Sequence, residues 1–143
     1  MLRGICYLSS ATRPFDEAAL EGLLSESRRN NAHSGVSGVL LYADGDFLQY
    51  LEGPSAAVDE TMLRIRGSRR HRGLRVLLDE PIEQRVFADW WMGLARPTRS
   101  HFLALSSASW KRAAAAARQP GSMPPGLVLL EEFWSGQAGS TAR

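Results

Sequence analysis

The alternation of apolar and polar residues predicts that the stretch Asp46 to Gly53 is a half-buried β-strand. Successive side chains in a strand point to opposite faces, so Phe47, Gln49 and Leu51 share one face. If that face covers the core, Gln49 is buried among apolar neighbours. A buried amide without hydrogen-bond partners costs about 1–3 kcal/mol, so Gln49 indicates a polar partner or a ligand inside the core.

Similar patterns along the chain predict five strands in all. They are Arg3 to Ser9, Val36 to Tyr42, Phe47 to Glu52, Leu74 to Leu78 and Phe87 to Ala95. The Asp44-Gly45 dipeptide predicts a hairpin turn between the second and third strands. In the fifth strand, alternation places Trp90 and Met92 on one face and Trp91 on the other.

Helical spacing of apolar residues predicts two helices between these strands. The first begins at the N-cap Asp16 and ends near Asn30 or Asn31. The second is capped by Ser55. Their apolar stripes are Leu20, Leu23 and Leu24 in the first helix, and Val58, Met62 and Ile65 in the second.

The order of these elements predicts an α+β fold of the ferredoxin-like βαββαββ type, with a five-stranded mixed sheet. Strands one and three are central neighbours in this arrangement, and both helices cover one face of the sheet. Tyr7 and Gln49 are therefore expected side by side in the middle of the sheet, pointing at the helices.

A boundary is expected at Arg96-Pro97, which divides the chain into a domain over 1–97 and a helical extension with a flexible tail over 98–143. The extension contains two predicted helices, Leu103 to Arg118 and Pro125 to Trp134, followed by a frayed tail. We expect these C-terminal helices on the sheet face that the first two helices leave open.

The composition narrows the class of protein. A chain of 143 residues with net charge +2 suits one domain and favours neither nucleic acid nor membrane as a partner. The single cysteine, Cys6, excludes an internal disulfide. The absence of a leader sequence or of an apolar run near 20 residues favours the cytoplasm.

Enzyme motifs are missing from the sequence. There is no phosphate-binding glycine loop or nucleophile elbow, and the three histidines lack metal-ligand spacing. We therefore expect neither an enzyme nor a metal site. Polar residues do gather around one predicted face, namely Tyr7, Asn30, Asn31 and Gln49. Taken singly, the asparagines fit a helix C-cap, and Tyr7 fits a core tyrosine bonded to backbone.

Several motifs together resemble the BLUF domains, blue-light sensors that use flavin. They are Tyr7, Ser27-Arg28-Arg29-Asn30-Asn31, Gly35 to Leu40, Phe47 to Gly53, Arg70-His71 and Trp90-Trp91-Met92-Gly93. The resemblance covers about Met1 to Pro97 in the order and spacing of the family. The rest of the chain resembles the helical extension of short, single-domain members.

The resemblance implies a photochemical switch and its cofactor. Tyr7 would give an electron and a proton to excited flavin, and Gln49 would bridge Tyr7 and flavin and rearrange its hydrogen bonds. FAD is the implied cofactor, with FMN or riboflavin as alternatives. The implied flavin contacts are Gln49, Asn30, Asn31, Ser27, Arg64, Arg70 and His71. Met92 and Trp90 would lie beside Gln49 and pass the change to strand five.

Partners follow from the same resemblance. The expected output is a separate signalling protein or self-association into a homo-oligomer, reached through the C-terminal helices. The basic residues between Arg64 and Arg75 fit either a solvated helix face or contacts to flavin phosphate. Nucleic acid is not favoured because no aromatic residues are interleaved with them.

Two departures from the family pattern leave alternatives open. Ser68 stands where an acidic residue is usual, which weakens a flavin or arginine contact, and Trp91 replaces a small residue. A flavin-free interaction module on the same scaffold is one alternative. A small hydrolase similar to acylphosphatases is another, although Ser9 to Arg13 lacks the glycines of an anion-binding loop.

Overall fold

A computed structural model of the chain describes residues 1–111 and 123–136. The strands are β1 (Leu2–Ala11), β2 (Ser37–Ala43), β3 (Asp46–Pro54), β4 (His71–Ile82) and β5 (Gly93–Ala95). The helices are α1 (Glu17–Ser34), α2 (Ser55–Arg66), α3 (Arg99–Ser107) and α4 (Pro125–Ser135). The element order through β5 is βαββαββ, so the predicted α+β, ferredoxin-like fold is confirmed.

The five strands form one mixed sheet in the order β4-β1-β3-β2-β5. β1 and β3 are antiparallel central neighbours, and β5 pairs with β2 in parallel. The register places Tyr7 directly opposite Gln49. Asp44 and Gly45 both have positive φ, 49° and 86°, as the predicted two-residue hairpin turn requires.

Two apolar cores cover the two faces of the sheet. On one face, α1 and α2 pack against alternate side chains of the strands, including Phe47 and Leu51. On the other face, α3 and α4 pack against the intervening residues, including Leu48 and Tyr50. We call these the α1/α2 face and the α3/α4 face. The predicted alternation along β3 and the placement of the C-terminal helices are thereby confirmed.

Two predicted helix ends are wrong. α1 continues to Ser34 and ends at Gly35, whose φ of 83° is the left-handed geometry that glycine adopts without strain. Asn30 and Asn31 are therefore helical residues and not a cap. Ser55 is the first residue of α2, because Pro54 holds the N-cap position and makes no side-chain bond.

The β4 and β5 boundaries also differ from prediction. β4 begins at His71 and passes through Gly73, whose φ of 66° accompanies a register shift against β1. β5 comprises only three residues, and residues 83–92 before it are not a strand. We call residues 83–92 the β4–β5 segment. Long-range hydrogen bonds, described below, determine its path.

The first C-terminal helix, α3, begins and ends earlier than predicted within the described residues. Thr98 caps α3 by accepting a hydrogen bond from the His101 amide (3.2 Å), so the helix begins before Leu103. It ends at Ser107. The rest of the predicted helix to Arg118, beyond 111, and the predicted tail beyond 136 lie outside the described residues. α4 agrees with its predicted bounds to within one residue.

Candidate functional site

A tyrosine and a glutamine from the two central strands meet in the middle of the sheet. The Tyr7 hydroxyl donates a hydrogen bond to Gln49 Oε1, and both residues are buried on the α1/α2 face, 4% and 5% exposed. Burial raises the pKa of the Tyr7 phenol well above its usual range, with a smaller contribution from Cys6. Tyr7 is therefore a neutral hydroxyl donor at any physiological pH.

The other end of the Gln49 amide faces a methionine. Gln49 Nε2 donates to Met92 Sδ at 3.4 Å, and Met92 is fully buried. Two α1 side chains hold the backbone beside it: Asn31 Nδ2 donates to Trp91 O (2.7 Å) and Arg28 Nε donates to Met92 O (3.0 Å). The amide thus joins strand β1 to the residues that lead into β5.

A cleft opens above this hydrogen bond, between α1 and α2. The non-protein space within it is about 770 Å³, a volume that includes open solvent. The predicted residues that line it are Tyr7, Gln49, Ser27, Asn30, Asn31, Arg64, Arg70 and His71. The structure therefore brings together these eight residues from three strands, two helices and the turn before β4.

Two buried polar atoms in the cleft wall have no hydrogen-bond partner among the described residues. They are Ser9 Oγ and His71 Nδ1. His71 Nε2 lies 2.7 Å from the carbonyl oxygen of Ile65, so Nε2 donates this hydrogen bond, and Nδ1 is the ring nitrogen without a partner. Buried polar atoms are normally satisfied, so these two indicate a polar ligand in the cleft.

The BLUF family model, described as sensors of blue-light using FAD, matches residues 2–93. The chain belongs to the BLUF family.

Relatives and solved structures agree with this assignment. Photoactivated adenylate cyclase subunit beta of Euglena gracilis is 37% identical over 90 residues, which are 63% of this chain and 10% of that protein. The dark-state structure of BlrB, a BLUF protein, has a TM-score of 0.71 at 29% identity and covers 95% of this chain and 96% of its own. A bacterial light-regulated adenylyl cyclase has a TM-score of 0.65 at 30% identity, with 67% of this chain and 28% of that one covered. The chain spans about a tenth of the length of its curated cyclase relative.

The cleft fits a BLUF flavin on the observations made above. The isoalloxazine ring is flat and largely apolar and has polar atoms along one edge. The cleft offers apolar walls and a few polar groups, including the orphaned Ser9 hydroxyl, the His71 ring nitrogen and the Asn30 side chain. Such a distribution is typical of cofactor sites.

Basic residues lie at the mouth of the cleft. Arg64 and Arg70 both line it, and Arg70 Nη1 lies 3.1 Å from Glu26 Oε2. Ser68 accepts a hydrogen bond from the Arg70 amide (3.2 Å). Arg70 therefore takes its carboxylate partner from α1.

The prediction that Trp90 lies beside Gln49 is wrong. Trp90 packs on the α3/α4 face, where its ring centroid is 5.1 Å from that of Trp134 in α4. Trp91, which alternation placed on the opposite face from Met92, is 41% exposed. Alternation failed at Trp90 because the β4–β5 segment is not a strand.

Sequence reasoning missed several residues of the cleft and its support. The missed residues that line the cleft include Ser9, Glu26, Thr61 and Ile65, and Arg28 supports it through the Met92 carbonyl. Ser9 could have been found, because it lies two residues beyond Tyr7 in β1 and so shares its face. No pattern in the sequence indicated that Arg28 would contact the Met92 carbonyl, which is far from it along the chain.

Residues 1–111 and 123–136 contain neither a metal-ligand cluster nor a membrane-spanning helix. No group of His, Cys, Asp and Glu side chains there is arranged to hold a metal ion. No helix in the same residues is long and apolar enough to span a bilayer.

Proposed function

We propose that this chain is a blue-light photoreceptor in which Tyr7 and Gln49 form the light-operated switch. The observation that carries the proposal is the buried chain of hydrogen bonds from Tyr7 through Gln49 to Met92, at the base of a cleft suited to flavin. A flavin-free interaction module is not favoured, because the two orphaned polar atoms in that cleft would then lack any partner.

Flavin, when bound, supplies absorption of blue light and an excited state that accepts an electron. Tyr7 would give an electron and the proton on its hydroxyl oxygen to the excited flavin, and both would return to Tyr7, so the cycle would have no net redox change. During this exchange Gln49 presents its other amide end to Tyr7. An amide has a donor end and an acceptor end, so the side chain has two hydrogen-bonded states.

The proposed flavin contacts are residues that line the cleft, from the ring to the mouth. Asn31 and Asn30 bind the polar edge of the ring, with Ser27 and His71 beside it. Arg64 and Arg70 lie at the mouth, where a phosphate group would be paired with positive charge. We propose FAD as the natural cofactor, while FMN and riboflavin share the ring and compete for the same cleft.

The absorption spectrum tests the proposed function directly. We expect the purified chain, loaded with flavin, to show a small red shift of the flavin band after a blue flash and to recover in the dark. The cause is the altered hydrogen bonding at the ring when Gln49 switches. A chain that stays colourless after incubation with FAD, FMN and riboflavin would refute flavin binding, and bound flavin without a shift would refute the switch.

We further propose that the signal leaves through β5 and α4. Residues 1–97 would be the sensor and residues 98–143 the extension that meets a separate partner protein or a second copy. The support is the contact at Gly93, where an added Cβ would overlap the Trp134 ring. Gly93 directly follows Met92, so a shift of Met92 is transmitted to α4.

Gly93→Ala tests this relay. The added methyl group overlaps Trp134, and overpacking of this kind lowers the free energy of unfolding by about 1–3 kcal/mol. In the unmodified chain we expect blue light to change amide hydrogen exchange in α4, and in Gly93→Ala we expect that change to be lost while the red shift remains. Gly22→Ala is the control, since nothing lies within 4 Å of its added Cβ. If exchange in α4 of the unmodified chain does not respond to light, the relay is wrong.

A further inference from the structure

A fully buried carboxylate lies on β3, three residues beyond Gln49 and on the opposite face of the sheet. Glu52 Oε1 accepts a hydrogen bond from the Val86 amide, and Oε2 accepts one from the Phe87 amide, both at 2.7 Å. Oε2 also accepts from Ser37 Oγ at 3.0 Å. Both oxygens are thus occupied by donors, as an ionised carboxylate requires.

Arg85 supports this carboxylate indirectly, through the hydroxyl of Ser37. Its Nη1 donates to Ser37 Oγ (2.9 Å), and its Nη2 donates to Gly35 O (2.6 Å) at the end of α1. Burial raises the pKa of Glu52 from its usual value, and the hydrogen bonds from Val86, Phe87 and Ser37 act against that rise. The network of Glu52, Ser37 and Arg85 therefore attaches the start of the β4–β5 segment to β2, β3 and α1.

The other end of the same segment carries Met92, the partner of Gln49. The Gly38 amide donates to Trp90 O (2.9 Å), and Asn31 and Arg28 hold the next two carbonyls, as described above. The β4–β5 segment is thus attached to strand β3 at two points, through Glu52 at one end and through Gln49 at the other. Only a few residues of the segment join these two points, and movement at the Gln49 end would reach the Glu52 end through them.

We propose that Glu52 is a positioning residue of the photoswitch. It holds the β4–β5 segment in the arrangement in which Met92 Sδ accepts a hydrogen bond from Gln49, and it thereby controls how long the lit state lasts. This role rests on the proposed function.

The direction of the effect follows from which state makes these bonds. The Val86 and Phe87 bonds are made in the structure described here, in which Gln49 Nε2 faces Met92. Return to this state requires the β4–β5 segment to form its hydrogen bonds to Glu52 again. Weaker hydrogen bonds at Glu52 reduce the free energy gained when the Val86 and Phe87 amides bind it again. Dark recovery is therefore slower.

Dark recovery of Glu52→Gln tests the role. The amide introduced by this substitution would present only one acceptor oxygen to two backbone amides. We therefore expect recovery about tenfold slower, equivalent to about 1.4 kcal/mol in the barrier, with unchanged flavin content and red shift. Glu60→Gln is the matched control, because Glu60 is exposed on α2. Recovery of Glu52→Gln at the wild-type rate or faster would overturn the proposal.

Amide hydrogen exchange of the unmodified chain gives a second test that does not depend on how the variant folds. We expect the Val86 and Phe87 amides to exchange faster under blue light than in the dark, which a purely structural carboxylate would not cause. Unchanged exchange at both amides would overturn the proposal. If the unmodified chain shows no red shift, the proposed function fails as well; if the shift is normal and only these two results fail, the role of Glu52 alone is lost.

Discussion

Gln49→Leu is expected to abolish the light-induced red shift while flavin stays bound. Leucine is one heavy atom shorter than glutamine and has neither a donor nor an acceptor. The link between Tyr7 and Met92 is therefore removed, and no two-state hydrogen-bonded element remains. The cleft keeps its other lining residues, so binding of the cofactor persists.

Flash spectroscopy of the flavin-loaded variant is the measurement. Gln84→Leu is a matched control, because it makes the same substitution at an exposed position of the β4–β5 segment and should leave the shift intact. The Gln49→Leu variant also leaves the Tyr7 hydroxyl without its acceptor, which costs about 1–3 kcal/mol of stability, so folding is checked by denaturant titration. A normal red shift in Gln49→Leu would remove Gln49 as the switch.

Tyr7→Phe is the second variant with a large expected effect. It removes the one hydroxyl that donates to Gln49 Oε1 among the described residues, and with it the proposed source of the electron and proton. We expect the yield of the red-shifted state to fall by about tenfold or more. Because formation of this state competes with decay of the excited state, the fall corresponds to a rise of at least about 1.4 kcal/mol in the activation free energy of its formation. The ring remains, so packing against His71, 6.1 Å away between centroids, is retained.

Tyr42→Phe is the control for Tyr7→Phe. Tyr42 lies on β2 and does not itself line the cleft, and its hydroxyl accepts a hydrogen bond (3.1 Å) from the amide of Phe15, which does. Its loss is expected to cost about 0.5–1.5 kcal/mol of stability and to leave the photocycle unchanged. If Tyr7→Phe and Tyr42→Phe show the same wild-type photocycle, Tyr7 is not the donor.

The two faces of the sheet have different proposed roles. The α1/α2 face holds the proposed flavin and the switch, and the α3/α4 face holds the aromatic contacts of α4. Phe87 and Trp90 both pack against Trp134, with ring centroids 6.3 and 5.1 Å away. The β4–β5 segment contributes side chains to both faces, since Met92 lies on the first and Phe87 on the second. It is therefore an element that contacts both faces, as the proposed relay requires.

Local patterns in the sequence predicted the regular part of the site. Alternation in β1 and β3 put Tyr7 and Gln49 on the same buried face, and the order of elements made those strands neighbours. These inferences succeed because side-chain direction in a regular strand depends only on whether a position is odd or even. The hairpin at Asp44-Gly45 was predictable for a similar reason, since the turn selects residues that accept positive φ.

Tertiary structure alone decided the β4–β5 segment. The sequence predicted a strand from Phe87, but the Glu52 carboxylate holds the Val86 and Phe87 amides, so they cannot pair with a strand. The backbone then turns, and Trp90 reaches the α3/α4 face while Met92 reaches Gln49. Partners far apart along the chain determine this path, because a buried carboxylate must be satisfied by whichever donors the fold brings to it.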